Sequence, residues 1–308
     1  MILMTPSFRS RVLALCATIA VAFGAVGCSS TDSSNDALRV SASFYPIAWL
    51  TEQIGGDKVT VSSVTPFNVE PHDYELSPAD VTALSKADLI VYVAGFQPSM
   101  DDAVAQLGGP AVSELSEAAD LQKASSAAAE SDDSASEANL DPHFWLDPVR
   151  MQAVAEEIQR SLAEQDPDNA AYYQQNLATL QEKLSSLDSS YATGLANCER
   201  NTIVTSHAAF SYMADRYGLN QVSISGIDPE SEPSPADLAA VKKAVEETGT
   251  TTIFTETLVS PKTAEALAAE TGAQTAVLDP MESQPEKNDY LGAMTSNLDA
   301  LRTALSCQ

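Results

Sequence analysis

From residue 38 onward, short runs rich in β-branched residues alternate with stretches of helical period. LRVSAS (38–43), KVTVSSV (58–64) and LIVYVAG (89–95) read as strands. Residues 46–55, 77–86 and 99–107 read as helices. The run 89–95 is unbroken and apolar, as expected of a parallel strand covered on both faces. Ser77-Pro78 opens the second helix, because Ser caps well and Pro suits the first helical position. The second half repeats the alternation. NTIVTS (201–206), LNQVSIS (219–225), TTIFTE (251–256) and AQTAVLD (273–279) are predicted strands. Residues 208–218, 234–248, 260–272 and 288–306 are predicted helices.

Between the halves the pattern is helical throughout. Residues 148–165 form an amphipathic helix, and Asp166-Pro167-Asp168 restarts the helix with a cap and a Pro. Tyr173, Leu177, Leu180, Leu184, Leu187, Tyr191 and Leu195 then recur in steps of three and four, one apolar stripe reaching about Ala196. About 30 residues at about 1.5 Å each span about 45 Å, longer than one small domain. A free coiled coil is the rival reading, but the stripe is short and lies between two α/β segments. The predicted class is α/β: two (βα) lobes with parallel sheets, at 38–148 and 200–308, joined by a helical connector at 149–199. Paired lobes of this kind hold ligands in the cleft, outside the carboxyl ends of the strands.

The amino terminus reads as an address. Residues 1–27 carry Arg9 and Arg11, an apolar run of about 15 residues, and small residues before Cys28, the plan of a secretory signal. Ala25-Val26-Gly27-Cys28 resembles a lipobox, so Cys28 is the expected lipidation site and residues 28–37 a flexible tether. A signal cut near Ser29 with Cys28 incidental is the alternative. Charge changes the picture further. With 16 Lys and Arg against 43 Asp and Glu, the net charge of −27 argues against nucleic acid. It also repels anionic lipid, so a membrane partner needs the anchor. Residues 123–139 have no periodicity and four acids, and read as a mobile acidic loop within about 120–140. The body retains Cys198 and Cys307. In an exported chain these predict a disulfide, with two free thiols as the alternative.

The chain has only three histidines. His72 lies in VTPFNVEPHDYE, beyond the strand at 58–64; His143 lies in NLDPHFWLDP; His207 directly follows NTIVTS. Asp279 directly follows AQTAVL. A lone histidine is more often structural than a ligand. Here none is spent away from the predicted cleft, and three imidazoles with one carboxylate complete a tetrahedral zinc site. Phe144, Trp145 and Tyr74 flank two of the histidines as a candidate low-dielectric wall. Glu70, Asp73, Asp141, Asp147 and Glu256 are acids in the same neighbourhood, read as acceptors for the second ring nitrogens or as plain surface.

These residues sit in stretches that resemble a known family. SFYPIAWLTEQIGGDKV, EPHDYELSPADV, ADLIVYVAG, DPHFWLDP, DPDNAAYYQQNLATL, TSHAAFSYMADRYGL, FTETLVSPKTAEALAAETG and VLDP cover nearly everything from Leu38 to the end. They are similar to the zinc/manganese-type metal solute-binding lipoproteins of ABC importers. The resemblance implies one rigid linking helix and a metal between the lobes. It implies His72 and His143 as ligands from the first lobe, His207 and Asp279 from the second. It implies a monomeric receptor on the outer face of the cytoplasmic membrane, with an ABC permease as partner. Relatives with a carboxylate at the His207 position tend toward manganese, so His207 favours Zn2+, with Mn2+ as the alternative. Many zinc members carry a His-rich loop where this chain has the His-free segment 123–139.

Two other classes compete. A hydrolytic zinc enzyme needs an open coordination position and a base beside the ligands. No HExxH or similar motif supplies one. A surface adhesin, a label attached to some relatives, needs an extended exposed patch that a sequence does not display.

Overall fold

The computed structural model describes residues 37–124 and 140–308. The signal, the tether with Cys28, and most of the acidic loop lie outside the described residues. The first half is built from β1 (Leu38–Ala42), α1 (Tyr45–Gly55), β2 (Val59–Ser63), α2 (Pro78–Leu84), β3 (Leu89–Tyr92), α3 (Pro98–Gln106), β4 (Ala111–Glu114) and α4 (Ser116–Ala119). Its four strands are all parallel, in the order β2-β1-β3-β4. Two long helices follow, α5 (Pro148–Gln165) and α6 (Ala170–Gly194). The second half contains β5 (Thr202–Thr205), α7 (Ser211–Tyr217), β6 (Asn220–Ser223), α8 (Pro235–Thr248), β7 (Thr252–Thr255), α9 (Lys262–Thr271), β8 (Gln274–Val277) and α10 (Tyr290–Leu305). It repeats the parallel order as β6-β5-β7-β8.

Local chemistry explains the element ends. Ser77 and Ser234 each open a helix with a reciprocal capping box, to Asp80 and Asp237, followed by Pro. Asp147 caps α5 by accepting from the Val149 amide. The pattern does not predict β4. It is four residues long, lies at a sheet edge, leaves Val112 45% exposed, and follows Gly108-Gly109-Pro110. The linking helix is also shorter than its stripe suggests. Pro167–Asn169 is a 3-10 turn, and α6 begins at Ala170.

The α6 stripe is buried from Tyr173 through Tyr191. It packs on α5, α1 and α10, and one apolar cluster runs through this layer into both sheets. Each sheet has a second, smaller cluster on its outer face. The strands β1, β3, β5 and β7 are central in their sheets, and β3 and β5 are buried along their whole length. Cys198, just past α6, is disulfide-bonded to Cys307 at the end of α10. Among the described residues no helix is long and apolar enough to cross a membrane.

Candidate metal centre

Four loops meet at one point. His72 lies in the connection from β2 to α2, His143 just before the 3-10 turn Phe144–Leu146 that leads into α5, and His207 two residues past β5. The fourth contributor is Glu282, in the loop between β8 and α10. All four are buried, and one ligand-type atom from each lies within 4.8 Å of the others.

Five of the six edges of this cluster are nearly equal. His143 Nε2 is 3.2 Å from His72 Nε2 and 3.3 Å from His207 Nε2. Glu282 Oε1 is 3.3 Å from the Nε2 of His72, of His143 and of His207. A regular tetrahedron with such edges has its centre about 2.0 Å from each corner, within the zinc range of about 2.0–2.2 Å to nitrogen and oxygen.

The protonation pattern fits a cation at that centre. His143 donates Nδ1–H to Asp141 Oδ1 at 2.8 Å, and His207 donates Nδ1–H to Glu256 Oε2 at 2.7 Å. In the neutral rings both Nε2 lone pairs therefore point inward, where they meet each other and a carboxylate oxygen. Three such inward acceptors repel unless a proton or a metal sits among them. In the metal-free protein the carboxylates favour a proton: burial opposes it, but Glu282 and Glu256 lift His207 to about 10. Burial likewise works against the charge on His143, and Asp141 and Glu282 raise it. For His72 burial prevails and its value is lowered. Glu282 is held well below the usual carboxylate range; burial pushes it up, and the three imidazoles pull it down further.

The surroundings hold the ligands still. Gln97, buried at the start of α3, donates to Thr65 Oγ1 and to the Pro71 carbonyl, fixing the loop that carries His72. Phe96 stands edge-on to His72 at 4.7 Å. Behind it Phe44 and Trp145 close an aromatic floor, with centroids 4.7–5.3 Å apart.

The structure brings His72, His143 and His207 together with Glu282, and Asp279 is not in that cluster. Asp279 Oδ1 instead accepts the Met281 amide at 2.8 Å, and Glu282, three residues further on, stands at the fourth corner. The VLDP motif marks only the first acid of this turn. The missed signal is that an Asp before Pro tends to occupy its own carboxylate in the turn, which leaves the next acid free. Among the other candidates, Glu256 and Asp141 accept from the histidine rings. Glu70 accepts from the His72 and Asp73 backbone amides instead, and burial pushes it up to about 7. Asp147 caps α5 and pairs with Arg216 of α7. Trp145 donates its indole N–H to the Pro280 carbonyl at 2.7 Å. Tyr74 turns away to Asp80 at 3.0 Å.

Two α/β lobes with a buried, protein-saturated cation site between them define a metal-binding receptor of the solute-binding kind. The sequence profile of the family described as "Zinc-uptake complex component A periplasmic" matches residues 40–304, and the chain belongs to that family. It is 37% identical over 307 residues to the "High-affinity zinc uptake system protein ZnuA" of Bacillus subtilis, covering 96% of each chain. The Zn(II)-bound ZnuA-like domain of AdcA from Streptococcus pneumoniae is 34% identical, with a TM-score of 0.73 over 87% of this chain and 99% of that domain. Whole AdcA is longer, and this chain spans 58% of it. A laminin-binding protein of Streptococcus agalactiae, Lmb, is 33% identical with a TM-score of 0.79, over 87% of this chain and 99% of Lmb. Lmb is described as bifunctional, with adhesin and metal-transporting activity.

Proposed function

We propose that this protein captures zinc outside the cytoplasmic membrane with His72, His143, His207 and Glu282 and delivers it to the permease of an ABC importer. The observation that carries the reading is the buried cluster of three imidazole nitrogens and one carboxylate oxygen, five of whose six edges are 3.2–3.3 Å. That size and donor set suit tetrahedral zinc; manganese prefers more oxygen ligands in an octahedral shell. All four corners are protein atoms, which is what retention of cargo requires. Hydrolysis would need a corner left for water. The domain scheme is a signal at 1–27 and a tether at 28–37. Lobes at 38–148 and 200–308 follow, with the connector at 149–199 between them. A diacylated Cys28 holds the monomer at the membrane despite its acidic surface.

Titration of the metal-stripped protein with zinc, with and without excess manganese, tests the reading. One tight zinc equivalent that manganese does not displace supports it. Tight manganese binding keeps the receptor and changes the cargo. Tight binding of neither overturns it.

A further inference from the structure

The turn that presents Glu282 is fixed from three directions. Past β8, the Asp279 amide donates to Asn297 Oδ1 at 2.9 Å, and Asn297 Nδ2 donates to the Asp279 carbonyl at 2.7 Å. Asn297 lies on α10 and is only 3% exposed, so it clamps the Asp279 backbone from the core side. Trp145, from the His143 segment, holds the next carbonyl, Pro280 O. Trp145 is itself held, because Tyr290 Oη donates to its carbonyl. The chain then enters the left-handed region at Met281, with φ of 63°, a conformation that a non-glycine residue adopts at a cost. The contact that secures that residue's amide is the Asp279 carboxylate, at 2.8 Å. Glu282 follows, buried, with Oε1 at 3.3 Å from three Nε2 atoms.

We propose that Asp279 is a positioning residue for metal binding: held by Asn297, it locks the Met281 turn and so sets where Glu282 Oε1 meets the metal. This inference rests on Glu282 being the fourth ligand. Asp279 acts through a backbone amide, so its charge is dispensable and its acceptor oxygen is not. An Asn at 279 offers the same acceptor to Met281 but is a poor ligand for zinc.

The test compares Asp279→Asn, Asp279→Ala, Glu282→Ala and the double variant Asp279→Ala/Glu282→Ala. Zinc affinity is read by chelator competition, and coordination by the visible spectrum of the cobalt-loaded protein. Asp279→Asn is expected to keep wild-type affinity and the tetrahedral cobalt spectrum. Asp279→Ala is expected to weaken zinc by about 10–100-fold, the range for residues that orient a ligand, and to alter the cobalt bands. Added to Glu282→Ala, it should cost nothing more, because its only route to the metal is already gone. Full additivity in the double variant overturns the inference. So does an Asp279→Asn loss as large as that of Glu282→Ala, and this comparison decides the matter even where Asp279→Ala does not fold. If Glu282→Ala leaves zinc affinity and the cobalt spectrum unchanged, the fourth-ligand reading itself fails, and the inference falls with it.

Discussion

Zinc binding should expel a proton, and the affinity should rise with pH for that reason. His207 carries the proton in the metal-free protein. Burial resists the charge, but the Glu282 and Glu256 carboxylates raise its value to about 10. The metal needs the same Nε2 lone pair, so proton and zinc compete for one atom. At pH 7 the group lies about three units below its own value, and displacing the proton costs about 4 kcal/mol of intrinsic zinc affinity. The dissociation constant should therefore fall about tenfold per pH unit on approaching pH 10. His143, also raised, adds to that slope. Stability of the metal-free protein follows the opposite sign. The His207 contribution is complete below the unfolded histidine value of about 6.5 and is lost as pH climbs through about 10. The Glu282 contribution is present above the unfolded carboxylate value and is lost only as pH falls through its depressed one. Calorimetry at pH 7 in two buffers of different ionisation enthalpy counts the protons directly. Chelator competition between pH 6.5 and 8 gives the slope. At least one proton released is the expected result. No proton released, with an affinity flat across that range, refutes the electrostatic account of the site.

Each of His72→Ala, His143→Ala and His207→Ala should weaken zinc by orders of magnitude in the same competition assay; unchanged affinity in any one removes that residue from the site. Saturating zinc should raise the melting temperature, with a linkage of about 4 kcal/mol at 1,000-fold excess over the dissociation constant; scanning calorimetry with and without zinc checks this. Replacing both Cys198 and Cys307 with Ser opens a loop whose ends are 109 residues apart. The chain-entropy model sets an upper figure of about 4–5 kcal/mol for the loss. Zinc affinity should nevertheless hold, because Cys198 lies before β5 and Cys307 past the end of α10, whereas His207 follows β5 and Glu282 precedes α10. Denaturant unfolding and zinc titration on one sample separate the two effects. Asp147→Ala removes the α5 cap and the Arg216 pair together, and should cost about 1–3 kcal/mol in denaturant unfolding.

The fold was legible wherever burial imposes a period. The strands around residues 89, 202 and 252 are covered on both faces, and the α6 stripe keeps its spacing through four heptads. Legibility failed where exposure removes that constraint, as at β4. The site divided in the same way. Histidine is rare here, and three convergent imidazoles leave a signature in composition alone. Carboxylates do not, because 43 acids compete for each role. Asp279 and Glu282 share one turn and one chemistry. Which of them faces the metal depends on a backbone amide at Met281 and on an Asn 18 residues away, and neither has a period or a motif to announce it. The acceptors Asp141 and Glu256 were visible as nearby acids, but their pairing with particular rings required the coordinates.

The contacts across the cleft bear on how the receptor works. His72 and His143 come from one lobe, His207 and Glu282 from the other, so separating the lobes dismantles the site. Several hydrogen bonds oppose that separation. The Asn68 amide donates to Ser283 Oγ at 2.9 Å, the Trp145 indole to Pro280 O at 2.7 Å, and Tyr212 Oη to the Asp141 carbonyl at 2.6 Å. The Tyr290 bond to Trp145 and the Arg216–Asp147 pair add two more. At about 1 kcal/mol net for each, these bonds together contribute on the order of 5 kcal/mol to the closed form. A cleft held this way is preorganised: binding energy is not consumed in closing it, and tight capture of a dilute ion is the result. The same bonds set the cost of letting the ion go, so a partner that empties the site has to supply contacts worth at least as much to the open form as these are to the closed one.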